Sequence, residues 1–193
     1  SLFFFENQDL IDSATGYGRW TEATSPFQQF WALSIQVQSY VAFAFVALLI
    51  ALVSLALHKK SKPLAIGAAT LLFVASFTIS ILSTSANQQV AYFSFTARFW
   101  EFLFGALLAW LASRVCLPRW LARSAGWLGL LTIVLVPAFL NFSLLLPGVF
   151  ALVPLSAASA VILSSRHNAE PALLRHPWVL WFADPSFAFY PWH

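Results

Sequence analysis

The chain has 193 residues, of which 60% are hydrophobic, 17% aromatic and only 9% charged, with a formal net charge of +3. A soluble domain carries about 25% charged residues, so this chain cannot cover a globular surface with polar groups. The composition excludes an ordinary soluble enzyme, a disordered tail and a disulfide scaffold, since Cys116 is the single cysteine. The lysines and arginines separate apolar runs and form no contiguous stretch for nucleic acid. We therefore expect an all-α, polytopic membrane helix bundle.

Apolar runs long enough to cross a bilayer follow one another along the chain. A membrane-spanning helix needs about 20 mostly apolar residues. These runs are apolar on every face, which excludes the alternating pattern of a membrane β-strand. We predict five full spans at residues 37–57, 63–82, 98–115, 125–142 and 144–163, and the start of a sixth span near residue 177.

The basic residues predict the orientation of these spans. Eight of the ten lie in alternate loops: Lys59, Lys60, Lys62, Arg114, Arg119, Arg123, Arg166 and Arg175. The positive-inside rule places these loops in the cytoplasm. Residues 1–34 then form an extracytoplasmic loop, and residues 35–193 form the transmembrane part. Because the chain begins at Ser1 and its first span runs inwards, we expect an internal fragment of a longer protein, preceded by an odd number of spans.

Several features inside the spans bear on helix packing. Gly105, Ala109 and Ser113 recur every four residues, a spacing of small side chains that lets helices approach closely. Gln36 and Gln38 open the first span and are candidates for hydrogen bonds to other helices. Three prolines are expected to kink or break the fourth and fifth spans: Pro137, Pro147 and Pro154.

Charged and titratable residues within the spans are the candidate functional groups, because each charge at mid-membrane costs about 2.5–3.5 kcal/mol. Arg98 and Glu101 are three residues apart and share a helix face. They form either a structural ion pair or a polar site that faces a cavity. Asp184 is either a buried ligand or proton carrier, or the N-cap of a following helix. His193 is either a candidate acid or base, or an uninformative terminus.

Three segments match known motifs: PFQQFWALSIQVQSY at 26–40, AYFSFTARFWEFLFGALLA at 91–109, and DPSFAFYPWH at 184–193. They are similar to the patterns P-L-x-H-x-W-S-L-S-V-E-E-Q-F-Y, Y-F-x-x-x-x-R-x-W-E-x-x-x-G-A-x-x-A and D-I-S-Y-S-L-Y-L-W-H of membrane acyltransferase family 3. This family comprises bacterial O-acyltransferases that modify lipopolysaccharide, peptidoglycan and other surface glycans. The resemblance follows the family's motif order and extends over nearly the whole chain.

The resemblance implies an integral enzyme of the bacterial plasma membrane. Such an enzyme moves an acyl group, most simply acetyl, from cytoplasmic acyl-CoA to a glycan hydroxyl outside, without a bound cofactor or metal. Its partners are membrane lipid and the glycan, not nucleic acid. The resemblance implies catalytic roles for Arg98, Glu101 and His193, and substrate-binding roles for Gln38, Tyr40, Ser186, Tyr190 and Trp192. The family's activating histidine precedes the matched segments, so this chain alone is expected to be inactive.

Four of the positions at which the chain departs from the family pattern stand out. Gln29 replaces the histidine of the first segment, and Gln36 and Val37 replace its two acidic residues. Pro191 replaces a leucine. These replacements indicate that either the handling of the acyl donor or the pairing of helices is altered. Alternatively, they indicate a divergent subfamily with another acceptor. Two other interpretations stay open: half of a membrane transporter or flippase, and a decayed fragment with only a packing role.

Overall fold

A computed structural model describes residues 6–12, 30–58, 60–139 and 148–186. All regular elements in these ranges are helical, which confirms the all-α class. The α-helices are α1 (Glu6–Asp12), α2 (Trp31–Ala56), α3 (Ser61–Ala86), α4 (Gln88–Phe93), α5 (Phe95–Ala112), α6 (Arg119–Phe139), α7 (Leu152–Arg166) and α8 (Pro177–Ala183). Short 3-10 helices at Val149–Ala151 and Ala172–Arg175 precede α7 and α8.

Five of these helices are long and apolar enough to cross a membrane. They cover Trp31–Ala56, Ser61–Ala86, Phe95–Ala112, Arg119–Val136 and Val149–Arg166. Large hydrophobic side chains, including Leu55, Leu71 and Leu128, point outward from them. Such a surface is costly in water and suits hydrocarbon. The chain is therefore a multi-pass membrane protein, as the composition predicts.

The helix bounds differ from the predicted spans at several ends. The first and fourth helices begin at Trp31 and Arg119, each six residues before the predicted span. Helix α2 includes polar residues before the predicted span because the helix backbone provides hydrogen-bond partners for them. The Ser34 hydroxyl, for example, donates to the Phe30 carbonyl oxygen at 3.1 Å. The start predicted at residue 144 for the fifth span lies outside the described residues. Helix α8 begins at Pro177, near the predicted start of a sixth span, but has seven residues and is not among the five helices long enough to cross a membrane.

The first of two compact units comprises residues 1–109 and 145–148, and contains α1 to α4 and most of α5. Its buried apolar cluster joins α1, α2 and α4 through Leu10, Trp31, Ile35 and Phe93. The residues predicted to form only a polar loop thus include a helix, α1, that packs against the bundle. The Asn87 side chain caps α4 by accepting hydrogen bonds from the next backbone N–H groups.

A serine joins α3 to α5 within this unit. The Ser76 hydroxyl donates to the Thr96 carbonyl oxygen at 2.6 Å and accepts from the Trp100 backbone N–H at 2.9 Å. Because both partners lie in the first turns of α5, Ser76 satisfies backbone groups at the start of that helix. This link fixes the part of α5 that carries Arg98.

The second unit comprises residues 110–144 and 149–193, and in it α6 packs closely against α7. A Cβ atom at Gly129 would lie 2.5 Å from the Ala157 carbonyl oxygen. Small residues therefore do allow close helix packing, but not where the sequence predicts it. Gly105 and Ala109 are exposed, and a Cβ at Gly105 would meet nothing within 4 Å. Among the described residues, the close packing predicted for the third span is thus not found at Gly105.

The prolines disrupt the helices less than the sequence suggests. Pro154 lies in the first turn of α7, where a missing backbone N–H costs no hydrogen bond. Helix α7 consequently continues unbroken to Arg166. Pro137 lies near the C-terminal end of α6, whose helical backbone continues to Phe139. Pro147 lies outside the described residues.

Candidate functional site

The ion pair predicted within the third span is present. The Arg98 Nε atom donates to the Glu101 Oε1 atom at 3.2 Å, one helical turn further along α5. The two side chains are only 15% and 20% exposed. Pairing two charges on one helix face reduces the cost of placing either one in an apolar helix.

Arg98 also contacts two aromatic rings of other helices. Its guanidinium carbon lies 5.1 Å from the ring centroid of Trp31 in α2 and 5.0 Å from that of Tyr92 in α4. The two rings are themselves 4.9 Å apart, centroid to centroid. Cation–π contacts contribute about 0.5–2 kcal/mol each when partly desolvated. Three helices therefore hold the orientation of the guanidinium.

The guanidinium keeps hydrogen-bonding capacity for a further group. An arginine has five N–H donors. Within the part of the chain that the structure describes, the Nε donor alone makes a hydrogen bond, to Glu101. The Nη donors remain for an anion or a carbonyl oxygen, and charge-assisted bonds of this kind are about twice as strong as neutral ones.

A buried amide network lies beside the aromatic rings. The Asn7 side chain is fully buried, and its amide nitrogen donates to the Phe93 carbonyl oxygen at 3.2 Å. Asn7 and Gln38 also exchange hydrogen bonds: the Gln38 amide donates at 2.9 Å, and the Asn7 amide donates in return at 3.4 Å. This network ties α1 to α2 and α4 next to Trp31 and Tyr92. We call Asn7, Trp31, Gln38, Tyr92, Arg98 and Glu101 the Arg98 cluster.

The structure brings together only some of the residues singled out from the sequence. Arg98, Glu101 and Gln38 belong to the Arg98 cluster. Tyr40 is 58% exposed, and its hydroxyl accepts a hydrogen bond from Gln36 within the same helix at 2.7 Å. Of the two glutamines expected to bond to other helices, Gln38 does so among the described residues, through Asn7.

Two of the residues predicted near the chain's end, Asp184 and Ser186, are described and belong to the second unit. Asp184 is exposed and forms the C-cap of α8, which argues against the predicted buried ligand. Its predicted role as N-cap of a following helix concerns residues that lie largely outside the described ranges. Ser186 is exposed, and its hydroxyl donates to the Ala183 carbonyl oxygen at 2.6 Å. Tyr190, Trp192 and His193 lie outside the described residues.

Three members of the cluster were not identified from the sequence as site residues: Asn7, Trp31 and Tyr92. Trp31 reads as an ordinary interfacial aromatic residue, and Asn7 lies in a segment with the composition of a polar loop. Tyr92 stands six residues before Arg98 in the second matched segment. The sequence does contain a signal for the two aromatic residues, because Trp31 matches the W of the first family pattern and Tyr92 matches the Y of the second. Nothing in the sequence marks Asn7.

An apolar cleft of about 180 Å³ lies between α2, α3 and α5. Its lining includes Phe43 and Ile50 of α2, Ala69 of α3, and Phe99 and Leu103 of α5, and every lining side chain is apolar. A glycan or a phosphate would lose its hydrogen bonds there, whereas a hydrocarbon group would not. The cleft therefore does not substitute for the Arg98 cluster as a polar site.

The described residues include no group of three or more His, Cys, Asp or Glu side chains that could hold a metal ion. No family model matches the chain, and comparisons with curated proteins and with solved structures give no match. The class established by the fold is a multi-pass helical membrane protein with a charged and aromatic cluster in its first unit.

Proposed function

We propose that this chain is the membrane part of an O-acyltransferase. The observation that carries the proposal is the Arg98 guanidinium, which is held between Trp31 and Tyr92 and paired with Glu101 in an otherwise apolar helix. Ionisable residues in membrane helices are costly and mark functional sites by default. The resemblance of the segments around Trp31 and Arg98 to acyltransferase motifs gives the reaction class.

The proposed reaction transfers an acyl group from acyl-CoA to a hydroxyl group of a glycan. The hydroxyl oxygen attacks the thioester carbonyl carbon, so that a C–O bond forms and negative charge develops on the carbonyl oxygen. The C–S bond then breaks. The hydroxyl proton passes to a base and from there to the departing thiolate, which leaves an ester and the free thiol of CoA.

Arg98 suits the role of stabilising the developing negative charge. Its Nη donors are held by packing against the two rings, so little reorganisation is needed when the charge forms. Glu101 fixes the Nε side of the guanidinium. The proposed base is the family's activating histidine, which precedes the matched segments, and His193 is a further proposed catalytic residue. Gln38, Tyr40, Ser186, Tyr190 and Trp192 are the proposed substrate-binding residues. The proposed location is the bacterial plasma membrane.

The proposal is tested by following radiolabelled acetyl groups. Inside-out membrane vesicles that contain the intact protein and bacterial envelope glycan receive labelled acetyl-CoA, and the label bound covalently to glycan is measured. We expect Arg98→Ala to reduce transfer by about 10²- to 10³-fold, the usual loss for one donor to an oxyanion. Arg98→Lys keeps the positive charge but loses the planar guanidinium with its several N–H donors. It should therefore retain more activity than Arg98→Ala but less than wild type.

The matched control is Arg175→Ala, which removes the partner of Glu170 in the second described ion pair, within the second unit. We expect it to transfer acetyl normally. Unchanged transfer in a well-expressed Arg98→Ala variant would refute the proposed role of Arg98. Movement of an unmodified glycan across the membrane, without covalent label, would instead identify a transporter or flippase.

A further inference from the structure

Three arginines lie at one end of the paired helices α6 and α7. Arg119 is the first residue of α6, Arg123 follows one turn later, and Arg166 is the last residue of α7. The chain just before α6 also contacts the residue after α7, because the Leu117 backbone N–H donates to the His167 Nε2 atom at 3.4 Å. Residues that are far apart in sequence therefore share one end of the helix pair. We call Arg119, Arg123 and Arg166 the arginine patch.

The helices beneath the arginine patch are locked together. A Cβ atom at Gly126 would lie 2.5 Å from the Ser164 Oγ atom and 3.2 Å from Pro171 Cδ, so these side chains fill the space over Gly126. After α7, the Ala169 backbone N–H donates back to the Ser164 carbonyl oxygen at 3.0 Å. The positions from which the three arginine side chains extend are thus fixed by packing.

Among the described residues, no acidic side chain pairs with the arginine patch. All three arginines are exposed, and in the described ranges none of them forms an ion pair. The nearest acidic residue in the chain, Glu170, pairs with Arg175. A backbone hydrogen bond and the Arg175 guanidinium hold the pKa of Glu170 below its usual range, so Glu170 is an anion and pairs with Arg175.

The stability of α6 does not explain the charges of Arg119 and Arg123. Like charges four residues apart on a helix repel, and cations are unfavourable in the first turn. The first turn of α6 contains no acidic residue that would offset either effect. A bound anion would offset both, and arginine forks match the oxygens of a phosphate in a bidentate manner.

We propose that the arginine patch binds the phosphate headgroups of anionic phospholipids in the leaflet at this end of α6 and α7. The surroundings favour a lipid over a soluble phosphate. Trp120 and Trp127, on the same helix, are 73% and 42% exposed, and Leu128 is 65% exposed. Exposed tryptophans mark the membrane interface, and leucine faces hydrocarbon beyond it. One lipid can therefore place its headgroup on the arginines and its acyl chains along α6. This inference does not depend on the proposed acyl transfer.

The experiment measures stabilisation of the purified whole chain by added lipid in a neutral detergent. Thermal unfolding is followed while phosphatidylglycerol or phosphatidylcholine is titrated, because a ligand that binds only the folded state raises the unfolding temperature. We expect phosphatidylglycerol alone to raise it. The triple variant Arg119→Gln, Arg123→Gln, Arg166→Gln should bind phosphatidylglycerol more weakly, on the order of a hundredfold. This expectation follows because each basic residue near an anionic lipid surface contributes about 1 kcal/mol.

The control is the triple variant Lys59→Gln, Lys60→Gln, Lys62→Gln, which removes the same charge from another loop and should keep the response to phosphatidylglycerol. A second test variant, Arg119→Lys, Arg123→Lys, Arg166→Lys, keeps charge and fold and decides the matter if the glutamine variant does not fold. It should bind more weakly than wild type, by about tenfold, because it loses bidentate contacts.

Three outcomes would overturn the proposal. The first is an unchanged response to phosphatidylglycerol in both arginine variants. The second is an equal response to phosphatidylcholine. The third is stabilisation by coenzyme A but not by phosphatidylglycerol, which would assign the arginine patch to a soluble phosphate ester instead of a lipid.

Discussion

Asn7 and Gln38 exchange hydrogen bonds between their side-chain amides although 31 positions separate them in the sequence. Asn7 also reaches the Phe93 carbonyl oxygen, 86 positions away. One fully buried side chain thus joins α1, α2 and α4. Because α2 carries Trp31 and α4 carries Tyr92, the same contacts hold the two rings that enclose Arg98.

We expect Asn7→Leu to destabilise the first unit. The substitution removes the hydrogen bonds that Asn7 makes to the Phe93 carbonyl oxygen and to the Gln38 amide, and loss of a buried hydrogen-bond partner costs about 1–3 kcal/mol. The free energy of unfolding is measured by denaturant titration in detergent micelles. Gln36→Leu is the control, since its amide bonds only to the exposed Tyr40 of the same helix in the contacts described.

Adding Gln38→Leu to Asn7→Leu should recover part of that loss, because both amides are then replaced by apolar groups. The reciprocal contact would be contradicted if the double variant lost more free energy of unfolding than the two single variants lose in total.

We expect Gly129→Ala to destabilise the second unit by about 1–3 kcal/mol. The new Cβ would lie 2.5 Å from the Ala157 carbonyl oxygen, so the backbones of α6 and α7 must move apart. Gly105→Ala is the matched control, because a Cβ there meets nothing within 4 Å and alanine favours a helix by about 1 kcal/mol. Thermal unfolding of both variants measures the difference. Equal stability of the two variants would show that α6 and α7 are not closely packed.

The sequence predicts the membrane helices well because their signal is local. Twenty consecutive apolar residues identify a span without knowledge of its neighbours. The same holds for Arg98 and Glu101, whose spacing of three places them on one helix face. The start of α2 was missed because Ser34 and Gln36 lower the apolar character of its first turns, although the helix accommodates both.

Contacts between distant segments could not be predicted in this way. The stripe at Gly105 and the glycines Gly126 and Gly129 look alike in sequence, yet only the latter two meet another helix. Which small-residue face has a partner depends on the arrangement of the whole bundle. Asn7 is the same kind of case, because its role depends on groups 31 and 86 positions away.

The alternation of basic loops predicts which residues face the cytoplasm. Lys60, Arg119 and Arg166 should be cytoplasmic, whereas Glu22 and Asn87 should be outside. Single cysteines are introduced at these positions after Cys116, which is exposed, is changed to serine. A membrane-impermeant thiol reagent added to intact cells should label positions 22 and 87 and spare the other three. The opposite labelling pattern would reverse the orientation.

Arg98 and Glu101 should act as one functional unit. Arg98→Ala alone leaves the Glu101 carboxylate, 20% exposed, without its cation, so we expect less protein in the membrane. Adding Glu101→Ala removes that unpaired charge and should restore the protein level. Acyl transfer by the double variant should nevertheless stay at least about a hundredfold below wild type, because the guanidinium is gone. Quantitative immunoblots measure the protein level, and labelled acetyl transfer measures the activity. Full recovery of transfer in the double variant would show that the ion pair is only structural.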